Sequence, residues 1–561
     1  MRYLFDKNKT PLAIIFTTVA LLLYAISLLT MQFSLGEFGF IASLSFSYWL
    51  ALFFLFLASA FLWLGPNKNA WLPWIQVFSL ITILWLTPVI TGGFGAMPNL
   101  GPPLDYYGLA DSIFRNGCFD SRSQEYLNWP GSMILTAITE NVTGPIDPAL
   151  VTALTPFLMQ IAFLLLIYII AKNTLSSEKQ NWWMAGIWLF ELANWSPENK
   201  YSSQSYAAIL LLLALMIMLR ASRREDSRLA AKESLLIIII SACITITHFI
   251  TGVFLVIFLC GLLITRRKMG VTLPVIGLVI MIAWAIYGAA YFLGNNLNNF
   301  IEMALRVDLL GISFLRSNLF SAVTSQAAVV VNRIQFIDTL LYFIIAGTGF
   351  IVSYKAWRQG KFDQSDKVMI VYTIAVLIGS SLSIYRYKFE IVYRTVWLIL
   401  PVIAYFALKL TMRRNTAILL CASILTGIPL FLFSVYGGLP AVYTSPGDLA
   451  GRRFIINQVD AGQLVILVKG RGIGVPRFIE RYIYYPYDPR YYISQYTEPS
   501  LWLANLERTD SPQYILLSAT DEAFFKYALK KEYVGTAAST LDGTKEYSRI
   551  YSANGFSMYY R

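Results

Sequence analysis

The chain has 561 residues, 57% of them hydrophobic and 14% charged, with a mean hydropathy of +0.58. A soluble domain carries about 25% charged residues, so this composition excludes a soluble enzyme or binding module and describes a polytopic membrane protein. The net charge of +12 does not indicate nucleic acid, because Lys and Arg concentrate in short loops between apolar runs, as cytoplasmic loops do.

Each crossing needs about 20 apolar residues. In chain order the runs predict spans near 12–31, 38–64 and 71–90, then a long loop, then 149–171, 182–193 and 205–219. The stretch 235–265 is about thirty residues of nearly continuous apolar sequence, flanked on both sides by basic clusters, Arg220–Lys232 and Arg266–Lys268. Both flanks are then cytoplasmic, so the run must go in and come back as two short helices, with a tip at His248–Gly252. Later spans are expected near 271–293, 336–354, 368–385, 396–410 and 416–436. The total is about thirteen passes, with a cytoplasmic N-terminus and an extracellular C-terminus. The first run lacks a small-residue cleavage site and reads as a span, not a removable signal. Lys and Arg number 21 in the loops this places inside and nine in those it places outside, the remaining 14 of 44 lying in the C-terminal segment. That asymmetry supports the orientation.

The four cysteines are scattered without metal spacing and imply no disulfide. From Thr444 the hydropathy falls. Short apolar runs (LVILVKG, YILLS), a helical pattern over 521–533 and a closing strand pair near Tyr547–Tyr560 predict a small extracellular α/β domain, 444–561. The fold class expected is thus mainly α, with that domain appended. Residues 1–70 hold two additional spans, 71–335 a transmembrane core with outer loops 93–148 and 294–335, and 336–443 further spans.

The long outer loop holds the chemistry-bearing residues. It is far longer than an ordinary connection, and such loops are functional or disordered; its amphipathic, aromatic-rich pieces favour function. Asp105 follows Gly101-Pro102-Pro103 and opens a helix at Tyr106-Tyr107, where a carboxylate at the bilayer surface can act as general base toward a hydroxyl. The alternative is that Asp105 caps that helix. Tyr106, Tyr107, Asp111 and Glu125 are further candidate substrate contacts, and Asp120 reads as a turn residue.

Other candidates lie on the same side. Glu191 and Glu198 flank Asn194-Trp195-Ser196-Pro197 at the end of the fifth span. Glu191, in an apolar helix, needs a partner: a substrate, a metal, or Lys200. His248, the only histidine, is either a ligand contact at the hairpin tip or a satisfied core residue, with Thr247 and Thr251 beside it. Arg386, Lys388 and Arg394 break the charge rule outside the membrane, interleaved with tyrosines. They suit an anionic lipid phosphate or simple interfacial snorkelling. Arg306, Arg316 and Arg333 are lesser candidates of the same kind. Asn141-Val-Thr and Asn194-Trp-Ser are glycan-acceptor sequences, no more.

Pro102-Pro103-Leu104-Asp105-Tyr106-Tyr107 through Asn116-Gly117, then Tyr126-Leu127-Asn128-Trp129-Pro130-Gly131, Thr247-His248-Phe249-Ile250-Thr251 and Ser548–Gly555 resemble archaeal-type members of the GT-C superfamily of integral membrane glycosyltransferases. The order of spans and outer loops is similar as well. The resemblance implies a polyprenyl-phosphate (dolichyl-type) sugar donor, a first-loop acid that activates the acceptor, and outer basic residues that hold the lipid phosphate. Carried onto this chain, Asp105 is the base, while Arg386, Lys388 and Arg394 hold phosphate. The WWDYG motif of oligosaccharyltransferases is absent, which argues against N-glycan transfer to protein. No Asp-x-Asp or paired Asp-Glu accompanies Asp105, which argues against protein mannosyl transfer and leaves metal dependence open, with no cofactor assigned. The expected partners are the lipid-linked donor, an acceptor of unknown class and the bilayer. Two rivals remain: a non-catalytic protein binding a lipid-linked glycan or a partner protein, and a lipid transporter or flippase.

Overall fold

Backbone donors and acceptors inside lipid can be satisfied only in helices or closed barrels, and the apolar runs of this chain fold as helices. The computed structural model describes residues 9–34, 36–63, 71–93, 101–122, 125–175, 181–222, 224, 229–265, 270–296, 326–360, 363–387, 390–412, 414–438, 450–451, 454, 458, 464–467, 513–517, 522, 526, 533–544, 546–553 and 556–560. The helices are α1 (Lys9–Thr30), α2 (Phe46–Trp63), α3 (Trp71–Trp85), the short α4 (Thr87–Gly92), α5 (Gly101–Asn116) and α6 (Gly131–Thr143). Next come α7 (Pro148–Thr174), α8 (Trp183–Ala193), α9 (Ser203–Ser222), α10 (Ala231–Thr247), α11 (Phe249–Thr265) and α12 (Thr272–Tyr287). After α13 (Ala290–Asn296) follow α14 (Gln326–Arg358), α15 (Gln364–Tyr387), α16 (Glu390–Lys409) and α17 (Arg414–Tyr436).

Among the described residues seven helices (α1, α2, α7, α9, α14, α16 and α17) are long and apolar enough to cross a membrane. The pair α12–α13, bent by 80°, makes an eighth if it is one broken span. The thirteen-pass expectation also needs α3, α8, α10, α11 and α15. Those five are helices at the expected places, and their crossing belongs to the reading proposed below.

The expected hairpin is present. The chain breaks at His248, whose backbone is extended (φ −157°, ψ 111°), and α11 folds back along α10. Gly277 of α12 faces both Ser241 and Val256, seven residues before and eight after that break. Between helices in lipid there is no hydrophobic gain from association, so close packing of small residues carries the contact. At Gly349 of α14 a methyl group would sit 1.9 Å from the Phe406 carbonyl oxygen of α16. At the end of the bundle away from His248, the Lys409 ammonium lies 3.1 Å from Asp363 and 3.2 Å from Asp366, and the Tyr405 hydroxyl donates to Asp366 at 2.5 Å. This clamp ties the start of α15 to the end of α16.

The C-terminal part contains β1 (Leu464–Leu467), β2 (Gln513–Leu517), the helix α18 (Tyr533–Gly543), β3 (Ser548–Ala553) and β4 (Phe556–Tyr560). The sheet order is β1-β2-β4-β3, with β1 parallel to β2 and the other pairs antiparallel. The strands fall where LVILVKG, YILLS and the closing pair predict. Most of the helical pattern over 521–533 lies outside the described residues; α18, which follows it, is an element the sequence reading left out.

Candidate functional site

The long loop builds a cap with a core of its own. Leu109, Ala110 and Ile113 of α5 bury against Leu127 and against Met133 and Ala137 of α6. Taking apolar surface out of water is worth about 25 cal/mol per Å², and these six side chains, buried against one another, hold the two helices together. The helix containing Asp105 begins at Gly101, earlier than expected. Pro102 and Pro103 cause the shift: proline's fixed φ suits the first helical turn, where no N–H is needed. Asp105 therefore stands inside α5 and is not its cap; its carboxylate lies outside the described side chains, as does that of Glu125, the first residue of a 3-10 turn ending at Asn128.

Tyr107 is buried and gives its hydroxyl proton to the Glu140 carboxylate of α6, with the Ile146 carbonyl 2.8 Å away. Burial, then the Glu140 carboxylate, raises the Tyr107 pKa far above its ordinary value, so this phenol remains a donor. The second Glu140 oxygen is buried with no hydrogen-bond partner among the described residues. The hydroxyls of Thr136 and Tyr201 lie 2.6 Å apart and those of Ser132 and Ser203 2.9 Å apart, joining α6 to the α8–α9 turn and the start of α9. Asp111 pairs with Arg115 one turn on, at 3.0 Å, and the Tyr106 ring packs 5.0 Å from Tyr126.

The segment Asn128–Gly131 joins the cap to the hairpin. Asn128 accepts from the Trp284 indole at 3.0 Å through its backbone carbonyl and from the Phe292 amide at 3.3 Å through its side chain. Trp129 packs against Phe292 (4.6 Å) and against Phe249 at the tip (6.0 Å). Gly131 touches Thr247 so closely that an added methyl would lie 2.3 Å from its hydroxyl oxygen and 3.0 Å from its Cα. At the tip, His248 ends α10 and caps α11. Its Nδ1 faces the Thr251 amide at 3.4 Å and the Thr251 hydroxyl at 2.8 Å. Burial, then the nearby Arg394 cation, pushes the imidazole down to about 3. A neutral ring is also what the positive end of α11 favours.

A buried amide network fills the α8–α9 turn. Gln160 of α7 accepts from Asn194 at 2.8 Å and donates to Asn199 at 3.2 Å; Asn199 accepts from Trp397 of α16 at 3.1 Å and donates to Asn194 at 2.7 Å. Above it, the Arg394 guanidinium of α16 lies 3.4 Å from the Glu198 carboxylate, and Tyr393 packs edge-on to Trp195 at 5.3 Å.

The structure thus brings Tyr107, Glu198, Arg394 and His248 to one end of the bundle. Glu191 lies apart: fully buried, it accepts from the Trp85 indole at 2.8 Å, not from Lys200, and its other oxygen has no partner among the described residues. Of the remaining basic candidates, Lys388, Arg306 and Arg316 lie outside the described residues, Arg386 has a described backbone only, and Arg333 is exposed on α14. The Asn194 side chain is locked into the amide network, which leaves it unavailable as a glycan acceptor; Asn141 is exposed at the end of α6. Sequence reasoning missed Glu140 and Asp338. Both Asp338 oxygens are buried on α14 without a partner among the described residues. The signal was an acid within an apolar run, four residues before Tyr342. No group of three or more His, Cys, Asp and Glu that could hold a metal comes together among the described residues.

The fold and this rim define a helical membrane protein with a long-loop cap over one polar end of the bundle. No protein-family model and no curated protein sequence matches the chain. Among solved structures it is similar to ArnT from Cupriavidus metallidurans bound to undecaprenyl phosphate, at 12% identity and a TM-score of 0.46, over 88% of this chain and 98% of that one. The apo form of that protein aligns at 13% and 0.47 over the same shares. An oligosaccharyltransferase from Archaeoglobus fulgidus, in complex with zinc and sulfate, aligns at 12% and 0.44, over 86% of this chain and 72% of that one.

Proposed function

We propose that the chain is a membrane glycosyltransferase that uses a polyprenyl-phosphate-linked sugar donor at the outer face of the membrane and inverts the anomeric centre. Asp105 takes the proton from an acceptor hydroxyl, and that oxygen attacks the anomeric carbon. The bond from that carbon to the phosphate oxygen breaks, and the lipid phosphate leaves with the electron pair. Arg394, with Arg386 and Lys388, stabilises the charge that grows on the phosphate. Tyr106, Tyr107, Asp111, Glu125 and His248 are the proposed substrate contacts; Glu191, fully buried away from them against Trp85, drops out of that set. In this reading thirteen passes place the cap and the 444–561 domain outside, the core is 71–335, and a divalent metal stays open.

One observation carries the reading: the helix bearing Asp105, the His248 tip and the Arg394–Glu198 pair meet at one end of an apolar bundle. A helix bearing a carboxylate and a helix bearing a guanidinium are thereby gathered where a head group would arrive from the bilayer. The test is Asp105→Asn in membranes given a labelled polyprenyl-phosphate sugar. Loss of transfer by about a hundredfold or more, the usual worth of a general base, is expected with the fold intact; undiminished transfer removes the base assignment.

A further inference from the structure

Glu198 has no role in the mechanism above, yet it is placed against the residue proposed to hold the phosphate. Its side chain is 6% exposed and that of Arg394 15%, so the pair is largely shielded from water but not sealed. The turn bearing Glu198 is fixed from several sides. The Glu198 amide donates to the Ser196 hydroxyl at 3.3 Å, while its carbonyl accepts from the Ser205 hydroxyl at 2.7 Å and the Lys200 amide at 2.8 Å. Arg394 sits one turn before Trp397, whose indole is tied to Asn199. Both backbones are therefore held, and only the side-chain ends are left to adjust. At 3.4 Å between Arg394 Nε and Glu198 Oε1, the contact is an ion pair longer than a charge-assisted hydrogen bond, which runs about 2.7–2.9 Å.

An arginine in this position needs a counterion, since an unpaired charge at a partly desolvated site costs several kcal/mol. Glu198, 3.4 Å away, is placed to supply it. A phosphate arriving at Arg394 meets a pair already neutralised, and its own negative charge is repelled by the carboxylate. We infer that Glu198 is the resident counterion of Arg394, displaced when a lipid phosphate docks and returning when the phosphate leaves. This rests on the phosphate-binding reading of Arg394 and adds to it a residue that sets how tightly the leaving lipid is held. Glu198 acts through Arg394 and is a positioning residue, not a catalytic one.

The test is binding of labelled undecaprenyl phosphate to the full chain in nanodiscs of zwitterionic lipid. Glu198→Gln is expected to tighten binding by about tenfold, since the pair is intermediate between exposed and buried. Glu198→Asp, which shortens the reach of the carboxylate, is expected to tighten it less and serves if the glutamine variant does not fold. Arg394→Gln is expected to weaken binding, and Glu198→Gln should then have no further effect in the Arg394→Gln background. A role limited to holding the turn would instead leave affinity unchanged or lower it in both Glu198 variants. If Arg394→Gln weakens binding while the Glu198 variants bind no tighter than wild type, the counterion inference is overturned and the phosphate reading stands. If Arg394→Gln binds as wild type does, the phosphate reading itself fails.

Discussion

At the residue scale, three side chains have partners that decide what they can do. Glu191 is held by one indole donor inside apolar surroundings, so Trp85→Phe strips a buried carboxyl of its described partner. That change should cost about 1–3 kcal/mol, read as a lower melting temperature in detergent, whereas Trp74→Phe, in an aromatic cluster with Tyr168 and Trp183, should cost less. His248 is neutral at physiological pH. The unfolded imidazole titrates near 6.5 and the folded one at about 3, so protons bind the unfolded chain more readily between those values. Stability contributed by this ring is complete above pH 6.5 and declines as pH falls toward 3. Melting curves of wild type and His248→Gln should run parallel above pH 6.5 and converge or cross below it; parallel curves throughout would remove the assignment. Thr251, the partner of His248, stood beside it in the sequence, but the partners of Glu191 and Glu198 were not legible there. Trp85 is 106 residues from Glu191, and nothing local to Glu198 distinguishes it as the acid that meets Arg394.

At the element scale, the sequence was most informative where length and charge together left one solution. A thirty-residue apolar run between two basic flanks is too long for one crossing and too short for two full ones, so the break at His248 could be read before any coordinates. The start of α5 could not be placed so well, because a Pro-Pro pair signals a turn and a helix N-terminus with equal force. As a cap for α11, His248 can be replaced by a residue that also accepts from the third amide. His248→Asn should keep most of the stability, while His248→Ala should lose about 1 kcal/mol. If the asparagine variant is stable but transfers no sugar, the ring contacts substrate; if both functions survive, it is a cap alone. The α6–hairpin contact depends on the missing side chain at position 131. Gly131→Ala pushes a methyl into Thr247, with a cost of about 1–3 kcal/mol expected for overpacking. Transfer should fall with it, because the same contact sets the cap on the tip; full activity at normal stability would show that the cap and hairpin work independently.

At the scale of the whole molecule, the proposed sidedness is open to direct labelling. Cys118 is exposed in the cap, whereas Cys243 and Cys260 are exposed along α10 and α11, where lipid would cover them. A membrane-impermeant maleimide should therefore label Cys118 in intact cells and fail to do so from the cytoplasmic side of inverted vesicles; the reverse pattern would invert the topology. The general architecture was legible because lipid admits so few backbone solutions. The meeting of cap, turn, tip and α16 was not, since it depends on contacts between residues as far apart as Asn199 and Trp397. One feature of the cap reverses the usual order of a soluble helix: α6 turns Ser132, Thr136 and Glu140 toward the protein and shows Leu135, Ile138 and Val142 outward, at 51%, 55% and 79% exposure. Such a surface rests comfortably on acyl chains and poorly in water, so in the proposed topology the roof of the site would float on the outer leaflet as a raft does. Thinning that leaflet should then lift or tilt it while the bundle beneath stays folded, which would make lipid thickness a control on the proposed transfer that no residue near the reacting atoms would reveal.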